Sequence, residues 1–295
     1  MTTDRRFIDL HTHTTASDGS LTPTELMALA DKIGLSAIAV TDHDTTGGLA
    51  EARTAAANYP ELTLVMGTEV SANFPGGTMH ILGLGVDETA APVAALLETL
   101  AEGRRQRNPR IVAKLNALGL ELTFDEVVAI AEAAGGTAEI ISRNHLAEAL
   151  VARGHVKNRQ EAFDKYLASG GPAYMDRTRL EPKDTIEAIR DSGGVAVLAH
   201  PNQLKCNNDA HLEQVVRMLM DYGLEGLEAY HSGCDDRQMR MYLDLAKRLD
   251  LCVTGGSDFH GQGKPDVELG RPRVPAVTIT DAIAVNSAAP WSATP

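Results

Sequence analysis

Short apolar runs separated by longer amphipathic stretches set the rhythm of the chain. Ala37–Val40, Leu62–Met66, Met79–Leu84, Gly194–Ala199, Gly226–Tyr230 and Leu251–Thr254 are each four to six residues long. Such runs, bounded by turn residues, predict strands buried on both faces. Phe7–His13 predicts a first strand that runs into a loop. Between the runs the apolar spacing changes to that of a helix. Thr22-Pro23-Thr24-Glu25 forms a capping box with proline at the first helical position, Leu26, Leu29, Ala30 and Ile33 make a stripe, and Gly34 ends it. Further helices are expected near 49–58, 92–100, from 182, 212–222 and 237–249.

About seven strands alternating with helices is the pattern of parallel βα units closing into a barrel. From about Glu102 to Arg179 the strand runs disappear and helical spacing takes over, as in Ile111-Val112-x-x-Leu115 and Leu146-x-x-x-Leu150. The expected organisation is therefore a barrel in two parts, 1–101 and 180–280. A small helical insertion, 102–179, would lie over the active site, and a tail, 281–295, would be loosely held. The fold class is α/β, a distorted (β/α)7 barrel.

Composition narrows the partners. The formal net charge of −13 argues against a broad basic surface for long nucleic acid, though not against a small anion held by metals. With 4% aromatic residues there is little stacking platform for long single strands. Three cysteines without a Cys-x-x-Cys pair give neither a disulfide framework nor a thiolate zinc site. No apolar run approaches a membrane span, so a cytoplasmic protein without a membrane partner is expected. A monomer is plausible on these grounds.

The chemistry gathers where strands end. Nine residues form the candidate metal-binding set: His11, His13, Asp18, His43, Glu69, His80, His200, Asp258 and His260. Imidazole nitrogen and carboxylate oxygen are the ligands that hold zinc, manganese or iron in hydrolytic sites. Nine are too many for one ion; two or three ions sharing a carboxylate fit better, and such sites suit phosphoryl transfer. Active sites of these barrels lie at the carboxyl ends of the strands, and His80, near the start of its run, is the exception. A lone strand-end histidine is commonly structural, and His145, His155 and His211, on helical or loop segments, are read as structural too. The case rests on the convergence of nine positions. Asp42 is read as a capping or orienting residue.

His11-Thr12-His13, Ser17-Asp18-Gly19, Thr41-Asp42-His43, Gly67-Thr68-Glu69, the His80 run, Ala199-His200-Pro201 and Gly256-Ser257-Asp258-Phe259-His260 resemble, in order, the motifs of the polymerase and histidinol phosphatase (PHP) superfamily. The insertion, with Ser142-Arg143-Asn144-His145 and Ala162-Phe163-x-x-Tyr166-Leu167, is similar to that of the free-standing phosphoesterases of this group. These include nucleotide phosphatases and 5′-end RNA-trimming enzymes. Asn144 departs from the pattern, where a proline commonly stands. The resemblance implies a trinuclear centre. His11, His13, Glu69 and Asp258 would hold one ion; Glu69, His80 and His200 a second; Asp18, His43 and His260 a third.

The expected activity is hydrolysis of phosphomonoesters of small nucleotides, of the AMP or 3′,5′-bisphosphonucleotide type, by a metal-bridging hydroxide. Mn2+, Fe2+ and Zn2+ all suit the ligands. Arg143 and Asn144 are expected to grip phosphate, Arg271 is a weaker anion contact, and His231 is a candidate for phosphate contact or for protonating the leaving oxygen. The alternatives are a histidinol-phosphate-type phosphatase, a 5′-3′ oligoribonuclease and, further off, an amidohydrolase acting on C–N bonds. No lysine ends an early strand to bridge metals as in the last class.

Overall fold

The computed structural model describes residues 7–133, 141–176 and 178–275. The tail expected over 281–295 lies outside them. Eight strands form one sheet: β1 (Phe7–Asp9), β2 (Ala37–Val40), β3 (Thr63–Ala72), β4 (Met79–Leu84), β5 (Val195–Leu198), β6 (Gly226–His231), β7 (Cys252–Gly256) and β8 (Val274–Pro275), in the order β7-β6-β5-β4-β3-β2-β1-β8. The sheet curls until its ends meet. Leu10 N donates to Gly255 O at 3.0 Å, Asp258 N to His11 O at 2.9 Å and His13 N to Phe259 O at 2.9 Å. These bonds close β1 against β7, so the α/β barrel expected from the sequence is the fold.

Side-chain alternation explains the closure. Ala37 and Ala39 of β2 and Val195 and Val197 of β5 face inward, with Ile8, Val65, Leu82 and Leu84, and fill the barrel interior. Ile38 and Val40 face the other way, against Leu26, Met27 and Ala30 of helix α1 (Pro23–Ile33) and Leu49 and Ala52 of α2 (Leu49–Ala56). On the opposite side Ala196, Leu198 and Leu227 meet α7 (Pro182–Asp191), α8 (Asp209–Asp221) and α9 (Asp236–Leu249). The capping box at Thr22 forms, and Gly34 takes the left-handed conformation (φ 81°) that ends α1.

The strand arrangement corrects the sequence reading in three places. The barrel is not all parallel, because β4 runs antiparallel to both β3 and β5. The start of β4 therefore lies at the end of the barrel where its neighbours finish, and His80 is at the mouth with the others. β3 continues to Ala72, since Gly67–Ala72 pair with Met79–Leu84; Glu69 lies within the strand rather than past its end. β1 stops at Asp9, whose carboxylate accepts from the backbone of His11 (3.3 Å) and breaks the extended run.

Helix α3 (Ala91–Ala117) runs unbroken through the position expected to divide barrel from insertion. Its first half, with Val93, Leu96, Leu97 and Leu100, packs on the barrel. Its second half, with Ile111, Val112 and Leu115, joins α4 (Phe124–Ala133), α5 (Arg143–Ala152), α6 (Arg159–Ala162) and a π-helical turn at Phe163–Leu167 around a separate apolar cluster. Among the described residues no helix is long and apolar enough to cross a membrane.

Candidate metal centre

All nine residues singled out as metal ligands converge at the barrel mouth. Four overlapping groups, each with ligand atoms within 4.8 Å of one another, contain every one: His13, Asp18, His43 and His260; His11, Glu69 and His200; His11, His13 and Asp258; His43, Glu69 and His80. Glu69 is the hub. Its Oε2 lies 3.3 Å from His11 Nε2, 3.3 Å from His13 Nε2 and 2.7 Å from His43 Nδ1, while Oε1 lies 2.7 Å from His80 Nδ1 and 2.8 Å from His200 Nε2. Asp258 Oδ1 is 3.3 Å from His13 Nε2, and Asp18 Oδ1 is 3.2 Å from His260 Nε2.

These residues fit cations. His11 Nε2, both ring nitrogens of His13, His43 Nδ1, Asp18 Oδ1 and Glu69 Oε2 are buried and make no hydrogen bond. Leaving that many buried polar atoms unsatisfied costs several kcal/mol unless something binds them. Ligand atoms bound to one divalent ion at about 2.0–2.2 Å stand about 3–3.5 Å apart, the spacing of His11 and His13 from Glu69 and of His13 from Asp258, whereas His43, His80 and His200 approach Glu69 to hydrogen-bond distance. The donor set holds no sulfur and mixes imidazole with carboxylate, as hydrolytic centres do.

The backbone is bent to make this convergence. His200 (φ 26°) and Asp258 (φ 57°) adopt positive φ without being glycine, a conformation that costs about 1–3 kcal/mol each and concentrates at functional sites. Glu228, missed in the sequence, helps hold it. Fully buried in β6, it accepts from His11 Nδ1 (3.0 Å) through one oxygen and from the His200 backbone N–H (2.6 Å) through the other. A proton fixed on His11 Nδ1 leaves the Nε2 lone pair facing the cluster, the usual role of a carboxylate behind a metal-binding histidine. The signal was an ionisable residue inside the otherwise apolar run Gly226–Tyr230. A one-residue bulge between Glu228 and Tyr230 then lets Glu228 and His231, three apart, face the same way.

Asp42 has the orienting role expected of it. It accepts from Thr14 N (2.7 Å), Thr14 Oγ1 (2.7 Å) and Ser17 Oγ (2.5 Å), shaping the loop that carries Asp18. His260 Nδ1 faces the Asp258 carbonyl at 2.8 Å, which places its proton there and frees Nε2 toward Asp18. His231 is set the opposite way. Its Nδ1 accepts from Gly233 N (2.9 Å), so the neutral ring carries its proton on Nε2, which lies 3.4 Å from Asp258 Oδ2. His231 is thus a buried donor at the edge of the cluster. His145 caps α5, its Nδ1 accepting from Ser142 N.

Charges in the cluster are coupled. Burial favours the neutral acid of Glu69, but His43, His80 and His11 hold its carboxyl well below the ordinary range. Burial, helped by the neighbouring His43 and His200, pushes His80 down to about 4 despite Glu69, so its imidazole is neutral. Burial opposes the charged form of His43 too, yet Glu69 and Asp18 keep it at about 9. At pH 7.5 the metal-free His43 is therefore protonated, and a cation can take its nitrogen only by expelling that proton. Mn2+ uptake is expected to release protons and to strengthen as pH rises toward 9. Calorimetry in two buffers of different ionisation enthalpy measures this, and heats independent of buffer would contradict it.

One side of the mouth is walled by α3, the start of α5 and the π-helical turn. A cavity of about 150 Å³ is lined by Asp18 and His43 on the barrel side and by Arg104, Arg107, Arg143 and Phe163 on the other. Arg143 is braced by a bond from Nη1 to Leu167 O (3.1 Å) and lies 5.3 Å over the Tyr174 ring. Arg104 pairs with Asp44, which also accepts from Ser71 N, linking α3 to the barrel rim. Arg104 and Arg107 stand in the basic run Arg104-Arg105-Gln106-Arg107 of α3, where nothing in their spacing distinguished them from solvated charges. Asn144 lies at the mouth, but its amide donates to Asp18 Oδ2 (3.1 Å), so it braces a candidate ligand. Lys264, also unforeseen, reaches Asp258 Oδ2 at 2.5 Å. Arg271 is not brought to this mouth. It follows Gly270, which lies against Ile33 and Leu35 below β2, and its exposed guanidinium is 3.8 Å from Glu268.

Comparison with known proteins agrees with this arrangement. A family model described as the PHP domain matches residues 9–231. A 3′,5′-nucleoside bisphosphate phosphatase of Chromobacterium violaceum is 36% identical over 266 residues, covering 89% of this chain and 90% of that protein. A 5′-3′ exoribonuclease of Haemophilus influenzae is 36% identical over 255 residues, covering 85% and 89%. The solved structure of a Bifidobacterium adolescentis protein assigned as a metal-dependent phosphoesterase superposes with a TM-score of 0.84 at 32% identity, over 97% of this chain and 98% of that one.

Proposed function

Since the chain belongs to the PHP domain family, we propose that it is a metal-dependent phosphoesterase that hydrolyses phosphomonoesters of small nucleotides, of the 3′,5′-bisphosphonucleotide type. The observation that carries this reading is the meeting of five imidazoles on one buried carboxylate, Glu69, beside a cavity lined by three arginines. In this reading His11, His13, Glu69 and Asp258 hold one ion, Glu69, His80 and His200 a second, and Asp18, His43 and His260 a third. Mn2+, Fe2+ or Zn2+ in two or three of these places would supply an ionised water at neutral pH and positive charge against the phosphate oxygens.

The chain's own groups do the rest. Arg143, Arg104 and Arg107 present guanidinium groups on one side of the mouth, where they orient a phosphate and offset charge gathering on its outer oxygens. His231 holds a proton on Nε2 and is placed to donate it, to a phosphate oxygen or to the departing alcohol. Asp42, Glu228 and Asn144 keep the ligands aimed, and the insertion over 102–179 limits water at the mouth. No side-chain nucleophile is needed. We take the protein to act in the cytoplasm on a small phosphorylated partner.

Assay of the purified protein with p-nitrophenyl phosphate, nucleoside mono- and bisphosphates and a panel of amides tests this reading. Phosphate release that stops on chelation and returns with Mn2+ is expected. Amide cleavage alone, or phosphate release indifferent to chelation, would reject it.

A further inference from the structure

We propose that the groove between α5–α6 and the loops 17–20 and 260–263 is a subsite for the nucleoside that leaves the scissile phosphate, and that Lys157 and Arg159 there read a further phosphate on that nucleoside. The inference rests on the phosphoesterase reading above. Three cavities open at the mouth, and all three share Asp18 and Asn144. The one over the imidazoles measures about 270 Å³ and the arginine cavity about 150 Å³. The groove measures about 690 Å³. Pockets that enclose a small organic ligand span about 300–1,000 Å³, so of the three the groove alone has room for a sugar with its base.

Its lining sets the chemistry it accepts. Lys157 is exposed at one side, and Arg159 is held there by Glu148 (3.2 Å) and the Gln262 carbonyl (3.3 Å). Ser20, Asn158 and Gln262 add neutral polar groups, and Val151 and Ala152 a short apolar wall. Among the described residues no Phe, Tyr or Trp lines it, so a base is not stacked and its identity goes unread. Recognition falls on the sugar and on charge. Hydrolysis at the mouth consumes one water. Its oxygen bonds to phosphorus, the bond from phosphorus to the sugar oxygen breaks, and one of the water's protons ends on that oxygen. The freed nucleoside is then in the groove, and a second phosphate on it faces the two cations.

That second phosphate has two sources of like chemistry, a terminal monophosphate or the next diester of a short strand. Kinetics of the metal-loaded full chain on nucleoside monophosphates, the matching 3′,5′-bisphosphate and a 5′-phosphorylated dinucleotide separate them. The wild type is expected to prefer the bisphosphate to the monophosphates by about tenfold or more in kcat/KM. Lys157→Glu should erase most of that preference, chiefly through KM, and Lys157→Arg should retain it. Arg159→Gln provides a second variant. Dinucleotide cleavage that falls by the same factor assigns a continuing strand; a response confined to the bisphosphate assigns a terminal phosphate. A preference unchanged in both the Lys157→Glu and Arg159→Gln variants overturns the subsite and leaves the proposed function intact; equal kcat/KM for mono- and bisphosphates overturns the subsite and the bisphosphonucleotide preference, leaving only the phosphoesterase activity. A folded, metal-loaded protein that cleaves no phosphate ester overturns that reading itself.

Discussion

Replacing Glu69 by Gln is expected to lower kcat/KM on any phosphate ester by about a thousandfold or more, with loss of bound metal. The side chain keeps its shape, so the effect is electrostatic. In the wild type one carboxylate faces His11, His13, His43, His80 and His200 from two oxygens. A neutral amide has one acceptor oxygen and cannot offset the charge of two cations. Its N–H2 would point at nitrogens that must offer lone pairs. Elemental analysis beside steady-state kinetics measures both effects. A Glu69→Gln variant with full metal content and undiminished turnover would remove Glu69 from the centre.

The second large effect is expected at a residue that touches no cation in this reading. Glu228 divides its oxygens between His11 Nδ1 and the His200 backbone. In Glu228→Gln one of those bonds is lost and a donor is set against a donor. Either His11 is then free to turn or to change tautomer, or His200 loses the bond that steadies its positive φ. Metal affinity is expected to fall about 10–100-fold, the usual effect of removing such a partner. Competition against a fluorescent chelator measures it separately from turnover. Raising the Mn2+ concentration should restore activity, which a merely misfolded protein would not allow. Unaltered affinity would mean that the two hydrogen bonds do not orient the ligands.

Much of this was legible in the sequence, for identifiable reasons. The short apolar runs gave the strands, since a core strand leaves few alternatives to Ala, Val, Ile and Leu on both faces. The nine candidate ligands stood out because ionisable residues at or near the ends of such runs need a reason to be there. The direction of β4 was not legible, because an apolar run reads the same either way. His80 therefore looked misplaced until its pairing with Glu69's strand was seen. Glu228 and His231 did not read as one face for a related reason: the bulge between Glu228 and Tyr230 breaks the period of two on which inward and outward are reckoned. Asn144 was placed at the mouth but given a substrate to hold, whereas its amide holds Asp18. Arg271 was brought in by its position after the last motif, but it lines none of the cavities at the mouth, and its exposed side chain lies beside Glu268.

The proposed chemistry depends on the buried atoms around Glu69, Asp18 and Asp258 sharing several cations. Anomalous diffraction from crystals soaked in Mn2+ tests this most directly. Two or three strong peaks are expected, one among His11, His13, Glu69 and Asp258, one among Glu69, His80 and His200, and one among Asp18, His43 and His260. Crystals at saturating Mn2+ without a peak inside this cluster would contradict it.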